Sequence, residues 1–195
     1  MNPPIHPHHS VTIYISAAAD VMAEREALAQ MIAALPVTLA WRIIQTPLKA
    51  EPLNLEVLPT ADLYLLVMGG DIRAPIGLEW QTARRARRPV LAFLKHGLAR
   101  TLAGQAFVRD TDVTWQPFTD PADLSRQVER LLAEHLVRYA VHYVLTPAEV
   151  EQLTALQVTE TGAAQSTKGE GAGHSAVILS RERFMPSDGV ILDEA

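Results

Sequence analysis

A chain of 195 residues, 48% of them hydrophobic, holds enough apolar material for one well-buried domain plus an appendage and is short for two domains. The formal charge of -5 is unevenly placed: residues 1–146 carry 14 basic and 14 acidic side chains, whereas residues 147–195 carry 3 and 8. A neutral body with an acidic tail argues against a nucleic-acid protein, and zero cysteines remove disulfides, thiolate metal sites and a cysteine nucleophile. No apolar run approaches the ~20 residues needed to span a bilayer. The opening residues lack the apolar stretch of a signal peptide, so a soluble, cytoplasmic protein that avoids membranes is expected.

Residues 1–10 combine Pro3, Pro4 and Pro7 with His6, His8 and His9, which reads as a disordered leader rather than a metal site. No metal and no cofactor is expected. Val11–Ser16 (VTIYIS) is the first strand, and Asp20 is placed to cap a helix over Val21–Leu35, with Val21, Leu28, Ile32 and Leu35 at helical spacing. After Pro36, Val37–Ile44 reads as a second strand. The connection from Thr46 to Pro59 is broken by prolines and has room for one short helix over Leu53–Leu58.

Tyr64–Met68 is a continuous apolar run, as in a strand buried on both faces, and Gly69-Gly70-Asp71 turns the chain after it. A helix is expected over Leu78–Arg88, opening with Glu79 and stopped by Pro89. Val90–Leu94 repeats the buried-strand pattern. A short helix over Thr101–Asp110 and a strand over Val113–Phe118 follow, with Pro117 marking a sheet edge. Asp120 and Pro121 supply the N-cap and first position of a long helix. Its buried stripe is Val128, Leu131, Leu132, His135, Leu136, Tyr139 and Tyr143. Thr146 and Pro147 open a last helix over Ala148–Val158, residues 159–175 read as a glycine-rich flexible linker, and residues 176–195 carry two Val-Ile-Leu runs.

Strands alternating with helices imply an α/β three-layer sandwich around a mainly parallel sheet. Five strands fit the flavodoxin-like order 2-1-3-4-5, with a C-terminal extension beyond the domain at residues 11–146. In that order the switch point lies between strands one and three and brings Ser16 and Ala17 close to Gly69, Gly70 and Asp71. Glu79 shares a helix face with Ala83 and Ala86, which looks inward onto the sheet, while Arg84, Arg85, Arg87 and Arg88 fall on the solvated sides. An acid there either offsets the helix dipole or serves a ligand crevice.

Two signatures resemble a known family. VTIYISAAAD followed by AEREAL, and DLYLLVMGGD followed by GLEWQTARRARRPVLAF, are similar to the TIR-like domain-of-unknown-function family at the front of bacterial NACHT and related signalling ATPases. Ser16, Asp20 and Glu24-Arg25 match its first signature, and the likeness covers about Val11–Lys95. The second signature also resembles nucleoside deoxyribosyltransferases, in which a glutamate at the matching helix position attacks the anomeric carbon. That resemblance implies Glu79 as nucleophile and Asp71 near the substrate-holding acid. TIR enzymes that cleave NAD also use a helix-borne glutamate. Two departures stand out: Ala17 and Ala18 replace a serine and a threonine, and Ile76-Gly77-Leu78 precedes the glutamate in place of a glycine-threonine or serine-threonine pair.

Three functions compete on these grounds. The first is a nucleotide- or nucleoside-directed glycosidase using Glu79, with Ser16 and Asp71 orienting the ligand and Arg73 touching phosphate. The second is a non-catalytic TIR-like signalling or interaction module of a bacterial defence pathway, gripping a protein partner through residues 176–195. A small-ligand sensor, with the same crevice and no chemistry, is the third. The missing hydroxyls and the separate tail favour the module. His135 and His142, seven apart, read as packing histidines, and Walker and GxGxxG patterns are absent.

Overall fold

The computed structural model describes residues 10–48 and 52–163. The expected leader up to residue 9, most of the linker and the Val-Ile-Leu tail lie outside the described residues, and Ser10, expected in the leader, opens the first strand. The described residues form five strands and five α-helices: β1 Ser10–Ala17, α1 Met22–Ala33, β2 Ala40–Gln45, β3 Leu63–Met68, α2 Ala74–Arg85, β4 Val90–Lys95, α3 Leu102–Asp110, β5 Trp115–Phe118, α4 Pro121–Arg138 and α5 Pro147–Ala163. All four strand pairings are parallel and the order is β2-β1-β3-β4-β5, the flavodoxin-like arrangement.

Alternation along the strands divides the interior in two. Ile13, Ile15, Leu65, Val67 and Phe93 face α1, α4 and α5, meeting Leu28, Ile32, Val128, Leu132, Leu136 and Leu153. Tyr14, Tyr64, Leu66 and Ala92 point the other way, onto Ile76, Trp80 and Ala83 of α2. Every residue of β3 is buried, because this central strand is covered on both faces. β5 lies at the sheet edge, where Pro117 leaves no ladder hydrogen bond missing.

Several boundaries differ from expectation. β2 starts at Ala40 rather than Val37, because Thr38 turns both its N–H and its hydroxyl to Glu149 of α5, at 2.6 and 2.7 Å. A 3₁₀ turn, Ala19–Val21, precedes α1, and Asp20 does not cap that helix; its carboxylate crosses to the turn after β3 instead. The helix expected over Leu53–Leu58 is only a turn leading into a 3₁₀ turn at Leu58–Thr60, held by the short-range bonds Val57 N to Asn54 O and Leu58 N to Leu55 O. β5 begins at Trp115, after Val113 has spent its N–H on Thr111.

The largest displacement is in α2, which opens four residues early at Ala74 with Pro75 in its first turn, where a missing N–H costs nothing. It also ends early, at Arg85. Arg87, at φ 53°, and Arg88 close the helix through Arg87 N to Arg84 O and Arg88 N to Ala83 O, the paired bonds of a left-handed C-terminal cap. Arg88 is half-buried, donating to the Ala61 and Ala86 carbonyls, so it does not belong wholly to water. α4 stops at Arg138, which leaves Tyr139 46% exposed and puts Tyr143, though buried, in the turn beyond.

α5 extends to Ala163, past the expected end at Val158, so the first residues of the expected linker are helical. Its start is a capping box: Thr146 N and Oγ1 donate to Glu149 at 2.7 Å each, and Glu149 N returns to Thr146 Oγ1. Burial pushes the Glu149 carboxyl up, but the bonds from the Thr146 and Thr38 amides and hydroxyls outweigh it and draw the pKa down to about 2 from 4.5. A depressed folded-state pKa stabilises above the unfolded value and is lost on acidification, here between pH 4.5 and about 2. The expected result is an acid-induced fall in melting temperature across that window that is markedly shallower in Glu149→Gln. Parallel curves for the two proteins would remove Glu149 as the acid-sensitive tie.

Candidate functional site

Two strand ends and one helix build a buried polar cluster at the carboxyl edge of the sheet. Glu79 stands on the second turn of α2, on the inward face with Ala83, and is 0% exposed. Tyr14 of β1 donates its hydroxyl to Oε1 at 2.8 Å. Ser16, two residues on and on the same face, donates to Oε2 at 2.5 Å, and Thr46, just past β2, donates to the same oxygen at 2.7 Å. Both carboxylate oxygens are thus occupied by hydroxyls from two strand ends. Burial, reinforced by the neighbouring Glu79 charge, pushes the Tyr14 hydroxyl well above its ordinary pKa, so it stays protonated and keeps its donor for Glu79.

A cation completes the cluster from the opposite layer. Arg25 of α1 is 5% exposed. Its guanidinium donates to the Ala17 carbonyl at 3.1 Å, the Thr46 carbonyl at 2.6 Å and Gln45 Oε1 at 3.0 Å. Thr46 is the shared node: its N–H bonds Ile15 O, its hydroxyl bonds Glu79 and accepts from Ala17 N, and its carbonyl takes Arg25. Burial lowers the Arg25 pKa and the charge of Glu79 works against that shift. An acid from one helical layer and a base from the other therefore clamp the same two strand ends. A second tie runs beside it, from Lys95 at the end of β4 to Glu24 of α1 at 2.6 Å.

The crevice at the switch point is largely filled by the protein. Asp20 accepts from Gly70 N at 2.7 Å, bridging the segments that follow the adjacent strands β1 and β3. That bridge is why position 69 carries glycine: a Cβ there would sit 2.4 Å from Asp20 Oδ2. Asp71 accepts from Ile72 N at 2.9 Å and from the Thr101 hydroxyl at 2.6 Å, which ties the loop to the start of α3 rather than aiming it at a ligand. A cavity of about 130 Å³ remains, lined by Ala17, Ala18, Thr46, Arg73, Pro75 and Ile76. Glu79 does not line it. Arg73 is exposed at the rim, and Ala17 and Ala18 present methyls.

The structure therefore brings Ser16, Ala17 and Glu79 together, and separately Asp20 with Gly69 and Gly70. Asp71 and Arg73 stand apart from the acid. Three participants were absent from the sequence-based site: Tyr14, Thr46 and Arg25. Strand alternation places Tyr14 on the face of Ser16, but nothing local signals that a threonine beyond β2 would meet a glutamate 33 residues later. His135 is spent on the Tyr143 hydroxyl at 2.9 Å and His142 packs edge-on against the same ring. No group of three or more His, Asp or Glu among the described residues is arranged to hold a metal. No protein-family profile matches the chain, and no curated protein does. The site alone carries the functional reading.

Proposed function

We propose that this chain is a non-catalytic TIR-like interaction or signalling module, acting in the cytoplasm of a bacterium through a protein partner, with Glu79 as its internal anchor. The observation that supports this reading is the enclosure of Glu79. A nucleophilic carboxylate must present a free oxygen to an anomeric carbon within bonding reach. Glu79 has no accessible surface, and hydroxyl donors hold both its oxygens. The neighbouring cavity of about 130 Å³ is well below the ~300 Å³ at which small-molecule pockets usually begin. No helix of the described residues is long and apolar enough to cross a membrane.

The test compares the full chain with Glu79→Gln for turnover of NAD and a panel of nucleosides and nucleotides. No product is expected from either protein. Product from the unaltered chain that disappears in a folded Glu79→Gln variant would establish an N-glycosidase or deoxyribosyltransferase and overturn the module reading.

A further inference from the structure

Helices α2 and α3 share one face of the sheet but leave a groove of about 400 Å³ between them. Its walls are apolar, from Ile72, Trp80, Ala103, Ala106 and Phe107, and Arg84 stands at one margin. Arg84 and Gln81 belong equally to a second concavity of about 550 Å³ whose other lining is Arg85 and Arg87. The two hollows therefore form one surface with an apolar slot and a cationic end. All three arginines are exposed, and none of their guanidinium groups makes an ion pair or hydrogen bond within the described structure. Three unpartnered guanidinium groups within four residues are an acid-binding fork. Asp110, the one acid on the groove margin, is already held by Arg109 at 2.8 Å.

We infer that this groove is the docking site, in cis, for residues 190–194 of the same chain. Val190-Ile191-Leu192 supplies three consecutive apolar side chains for the slot, and Asp193-Glu194 follows at once for the arginines. The other Val-Ile-Leu run, 177–179, is followed by Arg181-Glu182-Arg183, a net positive segment that would meet the cluster like to like. Reach is ample. The 25 or so residues between Ala163 and Val190 span up to ~80 Å when extended, against a domain roughly 40 Å across. α5 packs on the opposite face of the sheet, so the connection passes around an edge. A partner that took residues 190–194 would free the groove, and a ligand of the groove would free the segment. The inference adds a built-in competitor to the module reading, and its failure would leave the turnover test of Glu79 untouched.

The absence of cysteine makes the test clean. A nitroxide attached to Ser187→Cys in the isotope-labelled full chain is expected to erase the NMR signals of the Trp80 indole and of backbone amides facing the groove. Added salt should restore them, since charge pairing holds the segment. Arg84→Glu with Arg85→Glu and Arg87→Glu should also restore them, and adding Asp193→Lys and Glu194→Lys to that variant should erase them again. Mixing spin-labelled unenriched chain with unlabelled enriched chain should leave every signal intact. Signals that survive in the first experiment, that vanish regardless of charge, or that vanish equally in the mixture overturn docking in cis. Groove signals that shift only on adding anionic vesicles or an oligonucleotide assign the arginines to another occupant and overturn it too.

Discussion

Glu79→Ala is expected to destabilise the fold by about 3–5 kcal/mol, the cost of breaking a buried charged network by removing one partner. The substitution strands the hydroxyls of Tyr14, Ser16 and Thr46 in a dry interior and leaves the Arg25 charge without its acid. Each unsatisfied buried group costs roughly 1–3 kcal/mol. Denaturant unfolding should show a lower midpoint with an unchanged slope, the sign of lost stability rather than a changed denatured state. Removing the donors together should return part of the loss. Glu79→Ala combined with Ser16→Ala and Thr46→Val should be more stable than the sum of the changes implies, because the orphaned hydroxyls are gone. A loss below about 1 kcal/mol for Glu79→Ala would falsify the anchor, since only a solvated acid is so cheaply removed.

Arg25→Met comes second in expected size, at about 3 kcal/mol, again because half of a buried charge arrangement is removed. Methionine fills most of the space of the arginine stem but leaves the Ala17 and Thr46 carbonyls without their donor. Lysine should not rescue it. The guanidinium reaches the carbonyls of Ala17 and Thr46 and the amide of Gln45 in a planar fork that one ammonium cannot reproduce. A double-mutant cycle with Glu79→Gln decides whether the two charges act as one clamp. They make no direct ion pair, yet both hold Thr46, and coupling of about 0.5–3 kcal/mol is expected for members of one network. Additive losses would mean two independent sites that happen to share a strand end.

Together these effects describe a carboxyl edge built for rigidity. In a sheet of this order the crevice between β1 and β3 is the natural place for a ligand. Here it is crossed by Asp20 on Gly70, underlain by the Glu79 cluster and rimmed by the methyls of Ala17 and Ala18. α2 carries the anchor on its inner face and the exposed Arg84 and Arg85 on its outer side.

Much of the fold is written in local pattern. The unbroken apolar run at Tyr64–Met68 fits a strand covered on both sides, a pattern a buried helix segment shares, and its regularly spaced neighbours are what imply a parallel sheet. Asp120-Pro121 and Thr146-Pro147 mark helix starts because an N-cap oxygen and a missing N–H are both properties of single residues. The inward phase of Glu79 follows from helical geometry alone. What lay beyond reach was everything decided by a partner distant in the chain. Asp20 sits where a cap belongs, but an amide 50 residues away competes for its carboxylate and wins. Glu79 has the residue type of a nucleophile in either reading. Whether it is a reactive acid or a structural one depends on which groups surround it, and Tyr14, Thr46 and Arg25 arrive from three different elements only when the layers close. Periodicity reports the environment a segment needs, whereas the reactivity of a carboxylate is set within hydrogen-bonding distance, and that distance is a property of the folded chain.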